Sequence, residues 1–323
     1  MKKKWLVVLV AFMMLISVLA GCTGEKEMGD GGAEETTPVE VSYPMTVVDG
    51  VGNSITIEKM PEKIISIDPS QTEILYALGL QDKLLAVSDY CDYPVEAKEK
   101  EKVGSSWGIN LERVIELQPE LVYVYGNGQP DAVEQMQAAG ITVLIYDPTS
   151  IAQIFDAIKT TGKVNGIEEE SNAMVKDLEE RRDAIVEKVK DQPKVKVFYQ
   201  VWDEPLMTAG PGSFIDELIQ LAGGENIAAD AEGAWPTFSV ESLVERNPEV
   251  YLAPAHVGEK MSLTEDEEQQ LIDTIKSKPG FEEISAMVND RVELMEPNIM
   301  SRPGARIIDA LELLAKELHP DLF

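Results

Sequence analysis

With 323 residues, 44% of them hydrophobic, the chain is long enough for two ordinary domains, each with its own core. Its 58 acids against 28 lysines and arginines give a net charge of −30, which sets it against nucleic acid and anionic lipid headgroups. Two cysteines and two histidines rule out a disulfide framework and a histidine-rich zinc or manganese site.

The N-terminus reads as an export signal. Lys2, Lys3 and Lys4 precede an apolar run from Trp5 to Ala20, too short for an ordinary membrane span, which closes on Leu19-Ala20-Gly21-Cys22. That ending resembles the lipobox of lipoproteins, which implies that residues 1–21 are removed and that Cys22 becomes a lipid-modified first residue. Residues 22–44 are rich in Gly, Thr and Glu with little to bury, so they read as a flexible tether. Cys91 then has no partner and reads as a small packed residue.

Further along, apolar strand-like runs at 64–67, 84–88, 121–125 and 142–146 alternate with helical patterns at 71–78, 111–117 and 131–139. This alternation predicts a parallel sheet flanked by helices over residues 45–149. Residues 150–191 carry apolar positions at helical spacing (Ile154, Ile158, Met174, Leu178, Ile185, Val189) and predict a helical connector, with Asn165-Gly166 as the point where it can break. The strand–helix rhythm returns over 192–323, with strands at 195–201, 250–253 and 292–295 and helices at 214–222 and 240–246. The fold class is therefore α/β: two similar Rossmann-like lobes, a long connecting helix and a ligand cleft between the lobes.

One short pattern occurs twice. Asn110, Glu112, Glu116 and Pro119 are matched, at one constant interval, by Ser239, Glu241, Glu245 and Pro248, and a tryptophan (Trp107, Trp235) precedes each copy. Each copy combines a helix-capping residue, an acid in the first turn and a proline after the helix. Ser70–Glu73 and Ser213–Asp216 also read as a matched pair of capping boxes. The chain holds no P-loop, no nucleophile elbow, no His-Glu-x-x-His and no dinucleotide fingerprint, so an enzyme reading has no residue to stand on. Aromatic residues make up only 6%, yet Tyr90, Tyr93, Trp107, Tyr125, Trp202 and Trp235 fall at strand ends or helix starts, where open α/β sheets bind ligands.

From residue 45 onward the sequence resembles the substrate-binding proteins of vitamin B12, ferric-siderophore and haem importers. The resemblance is carried by Val48-Asp49-Gly-Val-Gly52, Pro61 through Gly79, Tyr90-Cys-Asp-Tyr-Pro94, Asn110-Leu-Glu112, Gly223-Gly-Glu-Asn226 and Arg302-Pro-Gly-Ala-Arg306. It implies a monomeric, lipid-anchored, extracytoplasmic receptor that binds without catalysis, takes no cofactor and delivers its cargo to an ABC permease with a cytoplasmic ATPase. Glu112 and Glu241 match the acids that dock such proteins on their permease. Tyr90, Trp107, Tyr125 and Trp235 match corrinoid-contacting positions, and Met207 stands where cobalamin binders carry an aromatic. Cobalamin is accordingly the expected ligand. A ferric siderophore held by Arg302 and Arg306, haem iron held by Tyr90, Tyr93 or His256, and a surface sensor without a transporter are the alternatives.

Overall fold

The structure is a computed structural model that describes residues 42–323 other than 106, 127, 128, 259 and 261. The predicted signal, Cys22 and the tether as far as residue 41 lie outside the described residues. No helix among the described residues is long and apolar enough to cross a membrane.

An antiparallel hairpin comes first, β1 (Met45–Val48) with β2 (Ser54–Ile57). The first lobe follows: β3 (Ile64–Ile67), α1 (Pro69–Ala77), β4 (Leu84–Val87), β5 (Glu101–Lys102), the short pair β6 (Gly104–Ser105) and β7 (Gly108–Ile109), α2 (Leu111–Glu116), β8 (Leu121–Tyr125), α3 (Pro130–Ala138) and β9 (Thr142–Tyr146). Its sheet runs β5-β4-β3-β8-β9 with every pairing parallel. All four residues of β3 are buried, as expected of a central strand covered by helices on both faces.

Two helices follow, α4 (Ile151–Val164) and α5 (Glu168–Val189). The connector is thus broken where Asn165-Gly166 allowed: Gly166 turns left-handed at φ 73° and the Ile167 amide reaches back to the Gly162 carbonyl. Of the six apolar positions expected to face inward, Ile154, Ile158, Leu178, Ile185 and Val189 are buried and Met174 packs at the edge.

The second lobe contains β10 (Val195–Trp202), β11 (Met207–Thr208), α6 (Phe214–Leu221), β12 (Gly224–Asn226), α7 (Val240–Arg246), β13 (Val250–Pro254), α8 (Glu265–Lys276), α9 (Ser285–Val288), β14 (Val292–Met295), α10 (Pro297–Ser301) and α11 (Ile307–Leu318). β10, β13 and β14 pair in parallel. The long β10 edge is covered twice, by parallel β12 at one end and antiparallel β11 at the other. One hydrophobic cluster runs from Ile74 and Tyr146 of the first lobe, through α4 and α5, to Leu218, Leu252 and Leu311 of the second. Burying one continuous apolar surface resists relative motion of the lobes far more than a polar linker would.

The capping boxes require correction. Asp68, not Ser70, caps α1, accepting from the Ser70 and Gln71 amides at 2.8 and 3.2 Å, and Pro69 takes the first helical position. Glu73 is thereby freed from the helix start and turns toward the other lobe. At α6, Ser213 does cap the Asp216 amide, but the Asp216 carboxylate goes to Asn226 and Gln220, leaving half a box. The complete box lies at Thr264 and Glu267 of α8. The apolar signals outweighed the capping chemistry in setting these elements, so the strands matched more closely than the helix starts.

Candidate functional site: an aromatic and acidic cavity between the lobes

A cavity of about 790 Å³ opens between the lobes. Asp68 follows β3, Ser88 and Tyr90 follow β4, Tyr125 ends β8, and Trp202 ends β10, while Asn298 and Arg302 come just after β14. The lining therefore gathers at the carboxyl ends of parallel strands, where the crossover connections leave a crevice.

Trp107 sits on the β6–β7 turn and is 79% exposed, so its ring contributes little to the core. The turn is tight because Gly104 lies at φ 87°, where an added Cβ would meet the Gly108 carbonyl oxygen at 2.1 Å. Trp202 is 56% exposed and anchored by its indole nitrogen, which donates to the Glu204 carbonyl at 3.0 Å. Tyr125 is half-buried, and burial raises its phenol above the ordinary value. Tyr90, Trp107 and Tyr125 thus line the cavity. Met207 and Trp235 are not among the lining residues: Met207 bridges Thr237, and Trp235 stands edge-on to Phe214 with centroids 6.1 Å apart. Trp202, visible in the sequence as an aromatic ending a strand, also lines the cavity.

The floor is acidic. Burial pushes the Asp68 carboxyl up to about 7, against the pull of the Ser70 and Gln71 amides and of Arg302. Asp89 and Asp92 also face the cavity. Arg302 is the single basic residue in the lining among the described residues, and it is already engaged. Its Nη1 donates to Glu73 at 2.9 Å and to Asp92 at 2.7 Å, and its Nη2 donates to the Tyr90 carbonyl at 3.1 Å. Arg306 closes on Glu73 in a bidentate pair, both bonds 2.7 Å, and its guanidinium lies 3.9 Å from the Tyr93 ring centre. These contacts tie α1 and the residues after β4 in one lobe to the segment between α10 and α11 in the other. The Tyr146 hydroxyl adds a bond to the Pro303 carbonyl. Arg302 and Arg306, candidates for holding an anionic siderophore, are instead parts of this clamp.

The repeated motif folds alike in both lobes. Asn110 caps α2 and Ser239 caps α7, each accepting from the amide three residues on. Glu120 and Glu249 then place their amides on the Lys63 and Lys196 carbonyls, entering β8 and β13 in equivalent ways. Glu112 and Glu241 both stand exposed in the first turn of their helices. His256 is half-buried beyond β13, with Nδ1 3.2 Å from the Gly258 carbonyl. Cys91 is buried as expected, and burial pushes its thiol up to about 11, away from reactivity. Among the described residues, no cluster of His, Cys, Asp and Glu is disposed to hold a metal ion.

Two α/β lobes fused along a helical spine, with an aromatic crevice at their strand ends, define a binding protein. The chain belongs to the periplasmic binding protein family, whose model matches residues 64–298. It is 34% identical to YvrC of Bacillus subtilis, an uncharacterized ABC transporter substrate-binding lipoprotein, over 100% of this chain and 99% of that one. It is 31% identical to the vitamin B12-binding protein of Vibrio parahaemolyticus, over 80% of this chain and 90% of that one. The solved periplasmic vitamin B12 binding protein BtuF of Vibrio cholerae superposes with a TM-score of 0.69 at 29% identity, covering 80% of this chain and 97% of that chain. A periplasmic haem-binding protein from Pseudomonas aeruginosa reaches 0.72 at 23% identity, a likeness of fold.

Proposed function

We propose that the chain is the extracytoplasmic receptor of an ABC importer that captures a corrinoid such as cobalamin and hands it to the membrane permease. It works by binding alone, with no catalytic step and no cofactor of its own, and acts as a monomer. The observation that carries the choice of ligand is the charge of the cavity. All seven arginines of the chain are ion-paired within the protein, and among the described residues the cavity lining contains no lysine. An anionic siderophore complex or the two propionates of haem would meet Asp68, Asp89 and Asp92 without a free cation to balance them. A corrin ring edged by neutral amides suits such a site better. Its flat faces can lie against Trp107, Tyr125 and Trp202, and its amide hydrogens can reach the carboxylates. The two vitamin B12-binding relatives support the same choice.

Glu112 and Glu241 are the proposed contacts with the permease, one per lobe, exposed and without an ion-pair partner among the described residues. Cys22 is the proposed lipid attachment, and the tether holds the lobes at the membrane surface. Calorimetry of the mature protein against cyanocobalamin, haemin and a ferric-siderophore panel tests the ligand. Saturable binding of cyanocobalamin alone is expected; binding of haemin or a siderophore in its place would overturn the reading.

A further inference from the structure

A second cavity, of about 290 Å³, lies between the first lobe and the connector helix α4, away from the interlobe crevice. The β1–β2 turn, the carboxyl end of β9 and one face of α4 enclose it. The turn is fastened over it. The Gly50 amide donates to the Ile145 carbonyl at 2.7 Å, and an added Cβ on Gly50 would lie 2.7 Å from the Asp147 nitrogen. Asp49 spends its carboxylate on holding the turn itself, accepting from the Val51 and Asn53 amides at 3.1 and 2.8 Å.

One buried group points to a ligand. Gln71 is fully buried, and its Nε2 donates to the Thr161 hydroxyl at 2.8 Å. That hydroxyl has committed its only proton to the Ala157 carbonyl at 2.8 Å, so it can only accept from Gln71, and the amide cannot be flipped. Gln71 Oε1 is therefore fixed as an acceptor, and it has no partner among the described residues. The Tyr123 hydroxyl, also buried in the lining, has Thr161 and Asn165 as polar neighbours and completes a well-formed hydrogen bond with neither. Asp147 and Asp156 stand at the same cavity, and among the described residues no lysine, arginine or histidine lines it. Burial alone raises the Asp147 carboxyl above its usual range, as expected of an acid with no cation beside it. The rest of the wall is largely apolar, including Val48, Leu144, Ile145 and Pro148. A fixed buried acceptor, two carboxylates with no cation beside them and a largely apolar wall are complementary to one kind of small molecule.

We propose that this cavity is a second small-molecule site, which takes an amphipathic primary ammonium: the charged head toward Asp147, Asp156 and Gln71, the apolar body against the β9 end. An engineered apolar cavity of about 150 Å³ holds a benzene ring, so this one has room for an aryl-alkyl amine. The site does not depend on the corrinoid reading.

The test is titration of the mature protein with 2-phenylethylamine, 2-phenylethanol and phenylacetate, followed by amide chemical shifts. The amine should bind saturably at millimolar concentration and shift amides of the β1–β2 turn and α4. The neutral alcohol should bind about tenfold or more weakly, the loss of one charge-assisted contact, and the anion not at all. Combining Asp147→Asn with Asp156→Asn should weaken the amine by about tenfold or more at an unchanged melting temperature. Ala157→Leu, which intrudes into the cavity, should remove binding. Cyanocobalamin titrations of the same variants serve as the control for the interlobe site and should be unaltered. Equal binding of amine and alcohol, undiminished binding by the double variant, or no saturable shift (a cavity that holds water only) would overturn the proposal.

Discussion

Glu73→Gln is the most informative single change in the clamp. It keeps the shape of the side chain and removes the charge that both arginines share. The Glu73 side chain is 1% exposed, Arg302 10% and Arg306 15%, so solvent does little to screen the pair. Removing one partner of a buried ion pair typically costs about 3–5 kcal/mol, because the remaining charge stays desolvated. Here Arg302 keeps Asp92 and the Tyr90 carbonyl, whereas Arg306 loses its only paired carboxylate among the described residues. The lower end, about 3 kcal/mol, is therefore expected. Urea unfolding of the mature variant should show the midpoint falling at constant slope, since the surface exposed on unfolding is unchanged. A triple variant, Glu73→Leu with Arg302→Met and Arg306→Met, should recover much of the loss, because apolar groups of similar volume need no charge partner. A loss below about 1 kcal/mol in Glu73→Gln would refute the argument, placing the clamp in the range of an exposed surface pair.

Other outcomes follow from the same geometry. Trp107→Ala and Trp202→Ala should leave the melting temperature nearly unchanged and weaken cyanocobalamin by about tenfold or more, as calorimetry would show; Trp235→Ala, whose ring packs on Phe214, should instead lower stability. Asp68 titrates at about 7 when folded and near 3.8 when not, so between those values the folded protein holds a proton the unfolded chain has lost, and stability falls as pH rises. Asp68→Asn removes that dependence, and denaturation at a series of pH values should show the variant gaining on wild type by up to about 1.4 kcal/mol per pH unit in that window, whereas a pH-independent difference would contradict it. Glu112→Arg and Glu241→Arg should each keep ligand affinity and impair uptake, and the double variant should nearly abolish it; normal uptake by the double variant would leave these acids as helix-start residues worth tenths of a kcal/mol.

The legible parts of the sequence were those where one local signal suffices. β3, β8, β9 and β14 fall where apolar runs are bounded by polar or turn residues, and the Asn110 and Ser239 caps were readable from residue type alone. Ser70–Glu73 misled because a capping-box pattern and a long-range ion pair use the same residue types. Only the tertiary structure reveals that Glu73 meets arginines 229 and 233 positions away. Trp235 shows the same limit of local pattern. Its place before a helix matches Trp107, but Phe214 lies beside it, and no sequence interval encodes that contact. Cavity membership depends on where strands end in space, so Trp202 at the end of β10 and Asn298 after β14 joined the site through topology.

The two lobes repeat a plan, and the places where they differ separate structural from functional acids. Asp216 opens α6 much as Glu73 sits in the first turns of α1, but it is satisfied inside its own lobe by Asn226 at 2.7 Å, while Glu73 reaches across to the other. That asymmetry gives the molecule one clamp, and the clamp acts beside a hydrophobic cluster that already runs through both lobes. A receptor held in this way can deform only a little on loading. Solution scattering tests this inference. The radius of gyration should stay nearly constant on saturation with cyanocobalamin in the wild type and in Glu73→Gln, since the shared core alone would hold the lobes. A marked compaction of the wild type would place a hinge at Asn165-Gly166, and a compaction confined to Glu73→Gln would make the ion pair, rather than the core, the element that fixes the lobes.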